Sequence, residues 1–326
     1  MNRFICFVSL FALMAGSPAV VSAMHASDGP EFLIHTGKVF NLSLRGSAGI
    51  LNGTAWETVY DNSPEYPETK GYKVSELIWD LKDLYMGGGV ASVTLLNRLH
   101  FNAGYWLPMN EGSGQMEDYD WLKFQWGSDW TDWSLSDVDV TAAHMMDLNF
   151  SADILKFKGA RLKGLVGYKE DYWEWKDHGI RHIYSTASGF RDDVGEDDYT
   201  TGIEYEQTFK MPYFGAGLDY AYKQFSVNAY FAYSPWVKAD DRDYHVYREV
   251  LFTEDFSNGE YFGMGIKGTY AFKNGLFLSV SADQQRVPEI MGDTTIVAEG
   301  VTEFYPESAG IQHDSTMYSV SMGFGF

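Results

Sequence analysis

The feature that most constrains this chain is a regular alternation of apolar and polar residues in several segments. The apolar positions of one such segment are Phe214, Ala216, Leu218, Tyr220 and Tyr222. The same period of two recurs around 148–154, 262–272 and 276–283. Because successive side chains of a β-strand point to opposite faces, this period predicts strands with one apolar and one polar face. Such strands suit either a β-sandwich or a barrel whose apolar face meets lipid.

The N-terminal residues have the pattern of a secretory signal. Residues 1–3 form a short basic region, residues 4–15 form an apolar stretch, and residues 21–23 (Val-Ser-Ala) fit a small-residue cleavage site. We therefore predict a signal peptide over 1–23 and one mature domain over 24–326, with cleavage after Ala26 as the alternative. The remaining sequence has no apolar run long enough for a helical span, so the exported chain is either soluble or a membrane barrel.

The C-terminal segment and the connections favour the barrel. Residues 318–326 alternate apolar and small polar residues and end on Phe326, which is typical of outer-membrane barrels. Short turns are predicted at 87–89, 156–160, 222–224 and 273–275. Long polar connections are predicted at about 60–71, 108–137, 174–198, 236–258 and 285–312. Four turns that alternate with five long connections imply ten strands, with every long loop on one side.

The composition agrees with this fold and excludes other classes. The 22 Tyr, 22 Phe and 10 Trp suffice for aromatic girdles at two membrane interfaces. A formal net charge of −21 argues against a nucleic-acid partner, because phosphate contacts need Lys and Arg. Cys6 is the only cysteine and lies in the predicted signal, so a disulfide scaffold is excluded. The predicted fold is all-β: a ten-stranded antiparallel transmembrane β-barrel with long extracellular loops.

Acidic residues crowd two of the predicted loops. In extended backbone, residues two apart share a face, so Asp118 and Asp120 are expected to point the same way. The same spacing places Asp243 and His245 together. A carboxylate beside a histidine holds one tautomer, and close carboxylates raise one another's pKa. Two such pairs that face each other across a barrel mouth can bind and deprotonate a water molecule.

The residues alone leave three interpretations of these loops open. The acids are solvated surface groups, or Asp-Xaa-Asp binds Ca²⁺, or the two pairs form a hydrolytic site. A transition-metal site is not predicted. His178 and His182 are four residues apart, but no helical pattern surrounds them that would place both on one face.

At these residues the chain resembles the omptin family of outer-membrane aspartyl proteases. The resemblance covers most of the chain after the predicted signal, with the blocks in the family's order and spacing. The blocks are 116–121 (MEDYDW), 129–132 (DWTD), 183–195 (IYSTASGFRDDVG), 209–213 (FKMPY) and 233–245 (YSPWVKADDRDYH). Omptins are ten-stranded barrels that carry their active site in an extracellular groove.

The resemblance implies four catalytic residues. Omptins cleave peptides at basic residues, often between two of them, and the family's first carboxylate pair falls on Asp118 and Asp120. The second pair falls on Asp243 and His245. In the family's proposed mechanism, a water between Asp118 and His245 attacks the scissile carbonyl while Asp243 orients and charges the imidazole. Asp120 supports the opposite side, and no Ser or Cys nucleophile is needed.

The resemblance also implies three substrate-binding acids. Glu57 and Asp241 fall on the S1 pocket, which receives the residue before the cleaved bond, and Asp132 falls on the S1′ pocket after it. Carboxylates select guanidinium or ammonium groups through charge-assisted hydrogen bonds, and the net negative charge attracts cationic peptides. Basic peptides and proteins are therefore the expected partners, with cationic antimicrobial peptides or host zymogens as natural substrates and a role in virulence.

One departure from the family pattern concerns lipopolysaccharide, which omptins often need for activity. Tyr168 and Glu170 match the family's lipid-binding positions, but Tyr172 and Thr208 stand where Arg is usual. The loss of two cations predicts a weaker lipid requirement or a different host lipid. No other cofactor and no metal are expected.

Two functions are therefore compared. The first is a bacterial outer-membrane endopeptidase whose active site faces the extracellular side. The alternative is a non-catalytic adhesin that uses its acidic loops to hold cationic ligands. The adhesin predicts binding without turnover, and effects of loop exchange that do not depend on Asp118 or His245.

Overall fold

The computed structural model describes residues 39–62, 69–122 and 129–326, so the predicted signal peptide and its cleavage site lie outside the described residues. The described ranges contain twelve β-strands. They are β1 (Phe40–Asp61), β2 (Tyr72–Leu95), β3 (Leu99–Pro108), β4 (Gly114–Asp120), β5 (Asp132–Phe157), β6 (Ala160–Tyr184), β7 (Asp193–Asp197), β8 (Ile203–Tyr222), β9 (Phe225–His245), β10 (Val250–Ala271), β11 (Leu276–Ala298) and β12 (Val301–Gly325). Within these ranges, no helix has the length and apolar character needed to span a membrane.

The strands form one closed antiparallel sheet. β1 pairs with β2 on one side and with β12 on the other, which joins the two ends of the chain. β3 and β4 both pair with β2 and β5, so these two segments share one strand position. β7 and β8 both pair with β6 and likewise share a position. The twelve segments therefore occupy ten positions in the ring, which confirms the predicted barrel.

In the part of the barrel near the short turns, the alternating segments place their apolar residues on the outer face and their polar residues on the inner face. Exposed apolar side chains of this outer band include Leu44, Phe101, Phe157, Leu218, Phe225, Val280, Val320 and Phe324. On the inner face, Lys163 Nζ lies 2.6 Å from Asp219 Oδ2, and both side chains are buried. Apolar groups outside and paired charges inside are the arrangement that a barrel in lipid requires.

One predicted turn is wrong. Gly87–Gly89 lie inside β2, and the chain turns further on, at Leu96 and Asn97, which both have positive φ. Gly88 lies opposite Trp106, and a Cβ at this position would overlap the indole ring. The glycine therefore serves close packing of a large ring against the strand. The predicted turns at 156–160, 222–224 and 273–275 do join consecutive strands.

The long polar connections are mostly strand. β9 continues to His245 and β10 starts at Val250, so the predicted loop 236–258 is a hairpin with a short tip. The hairpin extends beyond the apolar band, where its outward residues are polar. The polar residues at these outward positions therefore led to the prediction of a loop, although the chain is a strand whose inner face is packed. The described parts of the five long connections lie at the end opposite the short turns, as expected.

A cluster of aromatic rings fills the barrel between this end and the apolar band. Trp79, Trp175 and Tyr205 are completely buried. The ring centroids of Trp79 and Tyr205 are 4.9 Å apart, and those of Trp175 and Tyr205 are 5.7 Å apart. The Trp175 indole N–H donates to the carbonyl of Asp80 at 3.1 Å. These buried rings form a floor beneath the open end of the barrel.

We predict that Gly88→Ala destabilises the barrel, because the added methyl group must displace the buried Trp106 ring. Overpacking of this kind costs about 1–3 kcal/mol of the free energy of unfolding. The matched control is Gly46→Ala, since nothing lies within 4 Å of a Cβ at Gly46. Urea unfolding of the refolded variants measures both free energies. Equal stabilities of the two variants would contradict this role for Gly88.

Candidate active site

A cavity of about 570 Å³ opens at the end of the barrel opposite the short turns, above the aromatic floor. Its polar lining residues are Glu57, Ser75, Asp118, Asp120, Asp132, Ser134, Asp177, Tyr184, Tyr199, Asp243, His245, Tyr247 and Arg248. All four predicted catalytic residues therefore face one cavity, together with two of the three predicted substrate-binding acids. The third, Asp241, is buried behind the cavity wall.

Strand register brings residues distant in sequence together. Leu77 of β2 pairs with Glu57 of β1 on one side and with Asp118 of β4 on the other. Paired residues of neighbouring strands share a face, so the two acids point into the barrel in one row. On the facing wall, Asp243 of β9 pairs with Tyr205 of β8. The register of this pair likewise points the side chain of Asp243 into the barrel.

The carboxylates of Asp118 and Asp120 form the first pair. Ser75 Oγ donates a hydrogen bond to Asp118 Oδ1 at 3.2 Å. Burial raises the pKa of the Asp118 carboxyl well above its ordinary value, and the charge of Asp120 raises it further. Burial also raises the pKa of Asp120, to about 6. Both acids therefore hold a proton more tightly than a surface aspartate does, which suits groups that exchange protons near neutral pH.

Asp243 and His245 form the second pair, and a third residue completes it. His245 Nε2 lies 2.7 Å from Asp243 Oδ2, and Arg248 Nη2 lies 2.6 Å from His245 Nδ1. A guanidinium only donates hydrogen bonds, so Nδ1 accepts and the proton of the neutral ring lies on Nε2, which donates to Asp243. The geometry fixes both the tautomer and the orientation of the imidazole.

Arg248 also affects the two acids on the opposite wall of the cavity. Its positive charge lowers the pKa of Asp118 and of Asp120, although burial dominates both shifts. The side chain is exposed near the tip of the β9–β10 hairpin. It is the one Lys or Arg among the described lining residues, against six carboxylates. The chain's own guanidinium therefore lies between the two candidate catalytic pairs.

Asp132, the predicted S1′ acid, is held in place by two hydrogen bonds. The Ser185 backbone N–H donates to its Oδ1 at 3.0 Å, and Thr131 Oγ1 donates to its Oδ2 at 2.6 Å. Asp132 also pairs with Asp120 across β4 and β5. These contacts fix the position of the Asp132 carboxyl group beside the first catalytic pair.

A group of acids lies deeper, on the floor side of the cavity. Glu57 and Asp241 are buried, and Tyr205 Oη donates to Asp241 Oδ2 at 3.1 Å. Burial, and then the charge of Asp243, raises the pKa of Glu57. Glu254 of β10 belongs to this group, since it pairs directly with Asp241, and sequence reasoning missed it. Its one signal in the sequence is that Glu254 alternates with Phe252 and Phe256. This alternation lies in the strand that pairs with the strand of Asp241.

The histidines outside the cavity do not form a metal site in the described ranges, where no group of three or more His, Cys, Asp or Glu is arranged to hold an ion. His178 Nδ1 lies 3.7 Å from Asp139 Oδ2. His182 instead stacks on Tyr184, with ring centroids 4.4 Å apart. The two histidines therefore have different partners.

Comparison with known proteins identifies the family of this chain. The profile of the Omptin family matches residues 38–326. The chain belongs to the omptin family. It is 29% identical over 325 residues to the outer membrane protease OmpP of Escherichia coli K12, which covers 97% of this chain and 99% of the relative. It is 32% identical over 234 residues to the plasminogen activator of Yersinia pestis, or 71% of each chain.

A solved structure extends the likeness to three dimensions. The crystal structure of the outer membrane protease OmpT from Escherichia coli superposes with a TM-score of 0.81 and 27% identity, over 88% of this chain and 97% of that one. As an omptin, the chain is an outer-membrane β-barrel of the protease class that acts on peptides or proteins. The roles of the individual cavity residues stay predictions.

Proposed function

We propose that this omptin is an aspartic-type endopeptidase that cleaves peptides and proteins at basic, chiefly dibasic, sites with an Asp- and His-activated water. The observation that carries this proposal is the charge of the cavity. Six carboxylates line it, and Arg248 is the one Lys or Arg among the described lining residues. A guanidinium or ammonium of a substrate is the natural complement of such a surface.

The proposed reaction uses the two facing pairs. Asp118 and His245 hold a water, which attacks the scissile carbonyl as the imidazole accepts its proton. Asp243, bonded to Nε2, then stabilises the imidazolium, and Asp120 supports the Asp118 side. Nδ1 is the ring nitrogen available to the water, so Arg248 withdraws from it before the reaction begins. The proton on His245 passes to the amine leaving group when the peptide bond breaks.

The acids around these pairs set the preference for basic residues. In the proposal, Glu57 and Asp241 bind the side chain before the cleaved bond, and Asp132 binds the one after it. We propose that the cavity faces the extracellular side, since the hairpins that build it extend from the apolar band. Cationic antimicrobial peptides and host zymogens are the proposed substrates, and one relative is named as a plasminogen activator.

We predict that His245→Ala and Asp118→Asn each lower kcat/KM by about 100-fold or more, because each removes one of the groups that activate the water. The substrate is a quenched peptide with a central Arg-Arg pair, cut by refolded protein. His178→Ala and Asp139→Asn are matched controls, since this His–Asp pair lies outside the cavity. Circular dichroism verifies that each variant is folded.

The same assay separates the protease from the adhesin. Turnover that is lost in the cavity variants and kept in the controls supports the protease. Binding of the peptide without turnover by folded wild-type protein would replace the protease with a cationic-ligand adhesin.

We predict that Arg248→Gln moves the acid limb of the pH profile of kcat/KM to higher pH, because this profile reports the free enzyme, in which Arg248 still lies beside the acids. Asp118 and Asp120 act as carboxylates, so activity appears as pH rises through their pKa values, that of Asp120 being about 6. The charge of Arg248 lowers both values, so its removal raises them and delays ionisation. Arg286→Gln, which removes a charge from outside the cavity, is the control. An unmoved acid limb would show that Arg248 does not act on these acids in solution.

We also propose that this chain depends less on lipopolysaccharide than omptins usually do. Tyr172 Oη lies 3.0 Å from a carboxylate oxygen of Glu174 and 3.2 Å from one of Glu206, where the family's cation would lie. Thr208 pairs with Tyr172 in the neighbouring strand. The nearby Arg242 is paired with Glu206 at 3.1 Å. Acids therefore outnumber cations here, which disfavours a lipid phosphate.

We predict that lipopolysaccharide stimulates the wild-type enzyme little, and stimulates the double variant Tyr172→Arg/Thr208→Arg more. The added cations restore two charge-assisted contacts to phosphate. Peptide cleavage by the two proteins, with and without lipopolysaccharide, measures the difference. Complete dependence of the wild-type enzyme on lipopolysaccharide would contradict the proposal.

A further inference from the structure

Glu254 is a buried acid to which the proposed mechanism gives no role. The residue is 2% exposed, and it lies in β10 directly opposite Asp241 of β9. Thr294 Oγ1 donates to Glu254 Oε1 at 2.8 Å. The other oxygen, Oε2, is buried and has no hydrogen-bond partner within the described part of the chain. An unpartnered buried carboxylate oxygen is costly, so such a group is expected to serve a ligand.

The orphan oxygen belongs to a set. Glu57 Oε2 and Asp241 Oδ1 are also buried without a partner among the described residues. Glu57 faces the cavity, while Asp241 and Glu254 lie close enough behind it that their charges raise its pKa. Burial, and then the charge of Asp243, raises the pKa of Glu254 to about 8. Glu254 and Asp241 also share a side-chain hydrogen bond, which requires a proton on one of the two carboxyl groups. Among the described residues, the groups with the largest effects on Glu254 include no Lys or Arg.

We propose that Glu254 is a third specificity carboxyl of the S1 pocket, acting with Glu57 and Asp241 to bind the positive charge of the substrate's basic side chain. This inference rests on the proposed function, in which those two acids form that pocket. A guanidinium carries five N–H donors in a rigid fork, so it can satisfy three orphan acceptors at once. Its charge also removes the mutual repulsion of the three acids.

A purely structural role predicts something different. Thr294 also accepts a hydrogen bond from Ser308 Oγ at 2.9 Å, so Glu254 is part of a chain that joins β10, β11 and β12. If Glu254 served only this chain, its replacement would change stability and would change the cleavage of every substrate equally. Selection for charge is the readout that separates the two roles.

The test compares two peptides that differ only in charge. One has Arg before the cleaved bond, and the other has citrulline, which has the same shape without the positive charge. We expect Glu254→Gln to lower the Arg-to-citrulline ratio of kcat/KM by roughly tenfold or more, the worth of one charged hydrogen bond. The change is expected in KM for the Arg peptide, with kcat nearly constant. Glu57→Gln is expected to lower the ratio in the same way.

The matched control is Asp255→Asn. Asp255 is the next residue of β10 and is exposed, so the variant removes the same charge from the same strand outside the pocket. Its ratio is expected to equal that of the wild type. Glu254→Asp, which keeps the charge, is expected to recover part of the ratio if the charge matters. A folded Glu254→Gln variant with a wild-type ratio would overturn the inference.

A binding measurement separates failure of this inference from failure of the proposed function. If wild-type protein cuts no basic peptide, the proposed function fails. Calorimetry with N-acetyl-arginine amide and the His245→Ala protein then tests Glu254 alone. Binding that weakens in His245→Ala/Glu254→Gln but not in His245→Ala/Asp255→Asn supports the inference. Absence of binding, or equal binding by all three proteins, overturns it.

Discussion

Closure of the sheet, through the pairing of β1 with β12, is the constraint on which the rest of the structure depends. A strand edge in lipid leaves backbone groups without partners, and a closed ring removes both edges. Closure also fixes which residues point inwards, because a register shift of one residue reverses every side chain. Glu57 and Asp118 face one cavity because Leu77 pairs with both of their strands.

The closed ring makes possible a second, electrostatic feature. Carboxylates that are out of water repel one another and hold protons tightly, so a flexible chain would turn them to solvent. Here the strands hold Glu57, Asp241 and Glu254 above the packed rings of Trp79 and Tyr205. The fold therefore keeps these acids in an unfavourable environment that a bound cation improves. On the proposed function, this loss of stability at the site is what makes it selective for a cation.

The sequence predicted what is local and missed what depends on register. Asp118 with Asp120, and Asp243 with His245, are two residues apart, so extended backbone alone brings each pair together. Glu254 lies thirteen positions beyond Asp241, and their contact depends on where the β9–β10 hairpin turns. No local pattern fixes that point, because the hairpin's outward residues are polar and resemble a loop.

Glycine was misleading for a related reason. A run of three glycines predicts a turn when only backbone freedom is considered, yet Gly88 is required by the ring of Trp106 on the next strand. The family resemblance supplied the proposed roles of Glu57, Asp132 and Asp241, which spacing alone did not indicate. The alternation of residues thus predicted the strands and the faces of their side chains. The contacts between residues across the barrel could be seen only in the folded structure.

Arg248 joins the electrostatics of the cavity to the chemistry proposed for it. A cavity with six carboxylates attracts a cation, and the hairpin tip supplies one from the chain itself. Because the guanidinium donates to Nδ1, it holds His245 in the tautomer that keeps its proton on Nε2, against Asp243. On the proposed mechanism, departure of Arg248 leaves a basic nitrogen facing the cavity, already oriented to take a proton from water. The hydrogen bond from Arg248 to His245 in the substrate-free protein thus sets the tautomer that His245 needs for its proposed role as the base.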